Sequence, residues 1–154
     1  MEIFTNCSAH YERFIALNER WIREHFAIEN TDMELARKPN TIIDAGGAIL
    51  TAVVDKNIVG ACALFRHDGV EYELARMAVE PSYQGQGIGR KLAEAAISTA
   101  RGYGAKKMIL LANTVLAPAV SLYTSLGFRV VREAQHPKYT RCNIVMAMGF
   151  ESAI

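Results

Sequence analysis

The chain carries no strong excess of either charge. Its 154 residues include 17 lysines and arginines against 16 aspartates and glutamates, a formal net charge of +1. Such a balance supplies no basic field for a phosphate backbone, so nucleic acid is not the expected partner. Long apolar runs are missing too. A stretch such as AILTAVV at 48–54 is strand-sized, well short of the roughly 18 residues a membrane helix needs. The opening MEIFTNCSAHYERF has no basic segment followed by an apolar one, so it does not read as a secretory signal, and the cytoplasm is the expected compartment. Cysteine is scarce: Cys7, Cys62 and Cys142 are scattered and odd in number. They make no disulfide framework, and no CxxC or Cys/His spacing suggests zinc, so no metal is expected. Cys62 sits in the apolar run IVGACALF and reads as a packing residue. Cys142 follows Arg141, whose charge favours a thiolate, and is kept as a candidate nucleophile. His67, in RHDG, reads as a solvated turn residue.

What is present is the balance of an ordinary globular chain, 51% hydrophobic and 21% charged, read as one domain over 1–154. Phe14, Leu17, Trp21, Ile22 and Phe26 recur at helical spacing, so the N-terminal third reads as helical. A second short helix is expected around 32–36, capped by Thr31 or Asp32 and stopped by Pro39. DAGG at 44–47 reads as a turn. The period then changes. AILTAVVD, NIVGACALF and VEYELARMAV are separated by DKN and HDG, which predicts two successive hairpins and three antiparallel strands. A glycine loop follows, then a helix carrying Ile88, Leu92, Ala96 and Ile97, then the strand KMILLA. Strand, helix and strand in that order predict a crossover between two neighbouring parallel strands. A helix opened by Pro118 and closed by Gly127 comes next. Two last strands, FRVVRE and RCNIVMAM, are joined around Pro137.

The loop between strand and helix is the chemical signal. Unpaired N–H groups and a partial positive charge at a helix start stabilise an anion. Gly85, Gly87 and Gly89 let the backbone approach a bulky phosphate. Gln84 and Gln86 add neutral donors, and Arg90 adds charge. A pyrophosphate is the natural guest. It is not a dinucleotide of the usual fingerprint, because Arg90 stands where that motif wants a small residue. No GK[ST] occurs either, which removes the Walker loop.

The Q-x-x-G-x-G of Gln84, Gly85, Gln86, Gly87, Ile88 and Gly89, preceded by MAVEP, resembles the acetyl-CoA pyrophosphate loop of the GNAT superfamily of N-acetyltransferases. LANTVLAPAVSLYTSLGFRVV at 111–131 resembles the other half of that family's acetyl-CoA site, although the connection from Asn113 to Tyr123 is longer than usual there. The resemblance implies an α/β fold: a central mixed, mostly antiparallel sheet, two N-terminal helices, and a strand–loop–helix pyrophosphate site. It implies transfer of acetyl from acetyl-CoA to a primary amine, in a small molecule or a peptide, by direct attack in a ternary complex. By the same resemblance Glu73 is the expected base, with Glu71 or a water chain as alternatives, and Tyr123 is the expected acid for the departing thiolate. Backbone groups at Met77, Ala78 and Val79 are expected to serve the pantetheine arm and the oxyanion, with Asn113 close by. The acceptor site falls to the N-terminal helices, the loop near Asp44 to Gly47 and the last hairpin around Gln135 to Cys142, with Trp21, Glu29, Asp32, Glu34, Arg76, His136, Tyr139 and Arg141 as candidates. No membrane partner is expected, and the chain is a monomer or a homodimer. A non-catalytic acetyl-CoA-binding module is the alternative function.

Overall fold

The computed structural model describes residues 1–134 and 141–150. Seven strands form one sheet: β1 (Glu2–Thr5), β2 (Ala48–Val54), β3 (Asn57–Arg66), β4 (Glu71–Val79), β5 (Lys107–Ala112), β6 (Arg129–Glu133) and β7 (Ile144–Gly149), in the order β1-β2-β3-β4-β5-β7-β6. Only β4 and β5 pair in parallel; the other neighbours are antiparallel. The helices are α1 (Tyr11–His25), α2 (Asn30–Arg37), α3 (Thr41–Asp44), α4 (Ile88–Gly102) and α5 (Ala117–Ser125). The predicted hairpins, the crossover through α4 and the proline-opened α5 are all present.

Strand alternation sorts the core into two layers. Leu50, Cys62, Leu64, Tyr72 and Leu74 face one side, where α4 packs Leu92, Ala93 and Ala96 against them. Ile49, Ala61 and Ala63 face the other side, against Phe14 and Leu17 of α1 and Ile42 of α3. α1 and α4 are held by their apolar stripes, the expected source of helix stability in a domain this size.

Two local readings are corrected, and a third is extended. Residues 2–5 form an edge strand on β2 and not part of a helical segment. The second helix starts at Asn30 with Glu29 before it, so neither Thr31 nor Asp32 is the cap. Asp32 instead lies inside the first turn and accepts the Glu29 N–H at 2.9 Å. The turn at 44–47 is preceded by the short helix α3. The connection around Pro137 lies outside the described residues.

One irregularity positions everything that follows. Ala61 pairs with Ala78 and Ala63 with Ala75, so Cys62 alone on β3 faces both Arg76 and Met77 on β4. That is a β-bulge, and it reverses the face parity of β4. Tyr72 and Leu74 point to the α4 layer, whereas Ala78 joins the α1 layer. Arg76 carries the extra residue's strain, with φ of 58° in the left-handed region.

Candidate active site

Pairing between β4 and β5 runs from Glu71↔Lys107 to Leu74↔Leu110 and then stops, although both strands continue. The bulge bends β4 away, and the parallel strands splay. A cleft of about 820 Å³, part of it open to solvent, fills the gap. Met77 and Arg76 line one wall, Leu111 and Asn113 the other, and Trp21 of α1 closes one end. Past the splay, the edges of β4 and β5 that face each other no longer pair, although β4 stays paired with β3 and β5 with β7 on their other edges. Of the expected backbone positions, Met77 lines the gap, and Ala78 and Val79 follow it opposite Ala61 and Gly60.

The glycine loop follows directly. A single 3-10 turn at Pro81–Tyr83 leads to Gly85 and Gly87, both with φ of 80°. Gly87 is the N-cap of α4, and no side chain caps the helix there. A Cβ added at Gly85 or Gly87 would meet nothing within 4 Å, so this concavity is open to a bulky group. Uncapped N–H groups and open backbone are what a phosphate needs. Ile88 is buried below the loop and anchors it to the core. Gln84, exposed at the surface, donates its Nε2–H to Val79 O at 3.2 Å and so braces the loop against β4. Arg90 donates to Ser125 Oγ at 2.5 Å and ties α4 to α5.

Glu73 lines the cleft, with a side chain only 12% exposed. Glu71, two residues earlier, is turned toward Lys107 at 3.6 Å and does not line it. Glu71, the alternative base, is thus held outside the cleft. Glu73 has a partner the sequence did not suggest. His67 Nε2 lies 2.7 Å from Glu73 Oε1. The bond to Glu73 raises the His67 pKa above its ordinary value; burial opposes the rise, and the charges of Glu73, Glu71 and Asp68 reinforce it. His67 is therefore an ion-pair residue and not merely a solvated turn.

Tyr123 also lines the cleft, buried and packed edge-to-face on Phe128. Burial, with a smaller contribution from Cys62, pushes the phenol well above its usual pKa, so it stays protonated at neutral pH. Asn113 reaches the cleft wall but spends its side chain on the chain itself. Its Oδ1 accepts the Val115 N–H at 3.0 Å, and its Nδ2 donates to Arg141 O at 3.0 Å. This is an Asx-type turn in the lengthened connection. Cys142 lines the cleft too, but burial, only partly offset by Arg141, pushes its thiol up to about 11. A raised pKa disfavours the thiolate that a nucleophile would need at neutral pH. Cys62 is fully buried and pushed up to about 12, as a packing residue should be.

The acceptor candidates divide. Asp32 is buried between two arginines. Arg141 grips it with two bonds of 2.8 Å, and Arg76 bonds its Oδ1. Arg141 also reaches Glu29 at 3.1 Å, and Arg76 reaches Asn18 at 3.2 Å. Desolvation would raise the Asp32 pKa; hydrogen bonds from Arg141 and the Glu29 N–H, with both arginine charges, outweigh it and hold the carboxyl below its usual value. This network joins α2, α1, the bulge and the approach to β7, and its arginines face the cleft. Sequence reasoning named its members without seeing that they meet. Glu34 is exposed and does not line the cleft. His136 and Tyr139 lie outside the described residues. Among the described residues, no helix is long and apolar enough to cross a membrane.

Residues 14–128 match the model of the acetyltransferase (GNAT) family. An uncharacterized N-acetyltransferase of Mycobacterium tuberculosis is 32% identical over 108 residues, 70% of this chain and 69% of that protein. In fold, the chain superposes on a GNAT-family acetyltransferase of Staphylococcus aureus with a TM-score of 0.85, at 22% identity, over 97% of this chain and 99% of that one. It also superposes on an acetyltransferase of Salmonella typhimurium solved with acetyl-CoA, with a TM-score of 0.78, at 25% identity, over 100% of this chain and 96% of that one. The splayed strands, the open glycine loop and these likenesses agree: the chain belongs to the acetyltransferase (GNAT) family and is an acyltransferase of the N-acetyltransferase type.

Proposed function

We propose that this protein transfers acetyl from acetyl-CoA to a primary amine by direct attack within a ternary complex, with Glu73 as base and Tyr123 as acid. The observation that carries the reading is that both side chains line one cleft, where β4 and β5 splay, and that β4 runs on into the glycine loop and the uncapped start of α4. Gly85, Gly87 and the first N–H groups of α4 fit a pyrophosphate, and the splayed backbone at Met77 fits the pantetheine arm. Acetyl-CoA supplies an activated acyl group and a thiolate leaving group.

The chain's own residues then have three tasks. A lysine-like ammonium must lose a proton before it attacks, at a cost of about 4–5 kcal/mol at neutral pH. Glu73, shielded in the cleft wall, takes that proton. An N–H of the bulge near Met77 faces the charge that grows on the carbonyl oxygen. Tyr123, kept protonated by burial, donates its O–H to the leaving sulfur. Trp21 and Ile22 give the acceptor an apolar wall. The test is thiol release from acetyl-CoA over a panel of amino acids, polyamines and dipeptides. Turnover of a primary amine that collapses in Glu73→Gln supports the reading. A non-catalytic acetyl-CoA module would bind acetyl-CoA and turn over none of them.

A further inference from the structure

The turn between β3 and β4 places an imidazole behind the base. His67 directly follows β3, and its N–H donates to Glu71 O at 2.9 Å. Phe65 is the cross-strand partner of Glu73, so His67 lies diagonally from Glu73 on the same face. Long side chains reach across such a diagonal. Glu71 is nearer in register, but Lys107 draws its carboxylate away. Glu73 therefore receives the imidazole alone, at 2.7 Å. The side chains are 42% and 12% exposed respectively: the ring stands at the water, the carboxylate in the wall. His67 does not line the cleft and cannot touch an acceptor there.

We propose that His67 is a positioning residue for the base: its Nε2–H holds Glu73 Oε1, aims the other carboxylate oxygen into the cleft, and switches the basicity of Glu73 with its own charge. The proposal rests on the reading of Glu73 as base. With a neutral ring, Nε2–H donates and Glu73 remains a full carboxylate able to take the ammonium proton. With a cationic ring, the carboxylate is paired with a full positive charge and is a poorer base. The charged and titratable groups around the pair are Glu71 and Glu73 on β4, Asp68 and Arg66 about the turn, Lys107 on β5, and the Cys142 thiol beside Glu73. The three carboxylates all favour the cationic ring, so the switch falls above the ordinary histidine range of about 6.5.

The experiment has two arms. In the first, the His67 ring is titrated by NMR in the wild type and in Glu73→Gln, with no acceptor present. The expected result is a midpoint above about 6.5 that falls back in the variant. An unchanged midpoint overturns the proposal, whichever amine proves to be the substrate. In the second, thiol release with the amines of the panel is followed against pH for Glu73→Gln, His67→Gln and His67→Ala. Comparing each variant with the wild type on one amine cancels the titration of the amine itself. His67→Gln keeps a donor without a charge. Its rate should match the wild type within about threefold on the alkaline side and exceed it severalfold below neutrality. His67→Ala should lose about tenfold on the alkaline side, for want of a held carboxylate, and less than that below neutrality, where it also removes the cation. If both variants give ratios near one at every pH while Glu73→Gln is inactive, His67 has no part and Glu73 keeps its role. If Glu73→Gln is fully active, the base is elsewhere and both readings fall.

Discussion

At the scale of single residues, the proposed chemistry rests on two side chains that burial treats differently. Glu73 keeps a partner and access to the cleft, while Tyr123 loses water and holds its proton. Glu73→Gln keeps the shape and removes the base; kcat should fall by at least about a hundredfold, as measured by thiol release. Tyr123→Phe keeps the ring on Phe128 and removes the donor; kcat should also fall about a hundredfold, with acetyl-CoA affinity little changed. Because the phenol titrates far above neutrality, no alkaline loss of rate near pH about 9 should disappear in that variant. Asp32 carries a different prediction. Asp32→Ala removes the carboxylate that two buried arginines share and should cost about 3–5 kcal/mol in chemical denaturation. Its carboxyl is lowered in the fold, so its contribution is present above the unfolded value of about 3.9 and lost as pH falls through the folded one. The gap between wild type and variant should therefore close in acid and persist at neutrality.

Among the elements, the start of α4 decides whether the anion site works. Gly87→Ala puts a Cβ on a residue with φ of 80°, which costs about 1–2 kcal/mol in strain. Reorienting the loop should also weaken acetyl-CoA binding about tenfold or more, read by calorimetry. Gly102→Ala at the other end of the same helix is the control: its φ is not positive and the space beside it is open, so affinity should not move. The loop, α4 and both hairpins were legible because glycines, apolar periods and turn residues are local signals. β1 was not, since its exposed edge has no alternation to show. Nor was the position of the bulge: nothing near Arg76 announces that Cys62, fourteen residues earlier, will face two residues on β4.

Across the whole molecule, the sheet brings distant groups to one cleft: α1 supplies Trp21, β4 Glu73, α5 Tyr123, and the segment before β7 Arg141. Family resemblance pointed to Glu73 and Tyr123 as the expected base and acid, and both side chains line that cleft. The Asp32 network and the His67–Glu73 pair were not legible, because they join residues that only tertiary pairing brings together. The central claim is that the cleft and its glycine loop hold acetyl-CoA, and a thermal-shift titration tests it most directly, with NADH and ATP as controls. At about a hundred times the dissociation constant, binding adds ~2.7 kcal/mol, which should raise the midpoint by roughly 5–10 °C with acetyl-CoA and leave it unmoved with the controls. A folded protein whose midpoint does not respond to acetyl-CoA, or responds equally to all three, would contradict the account at its base.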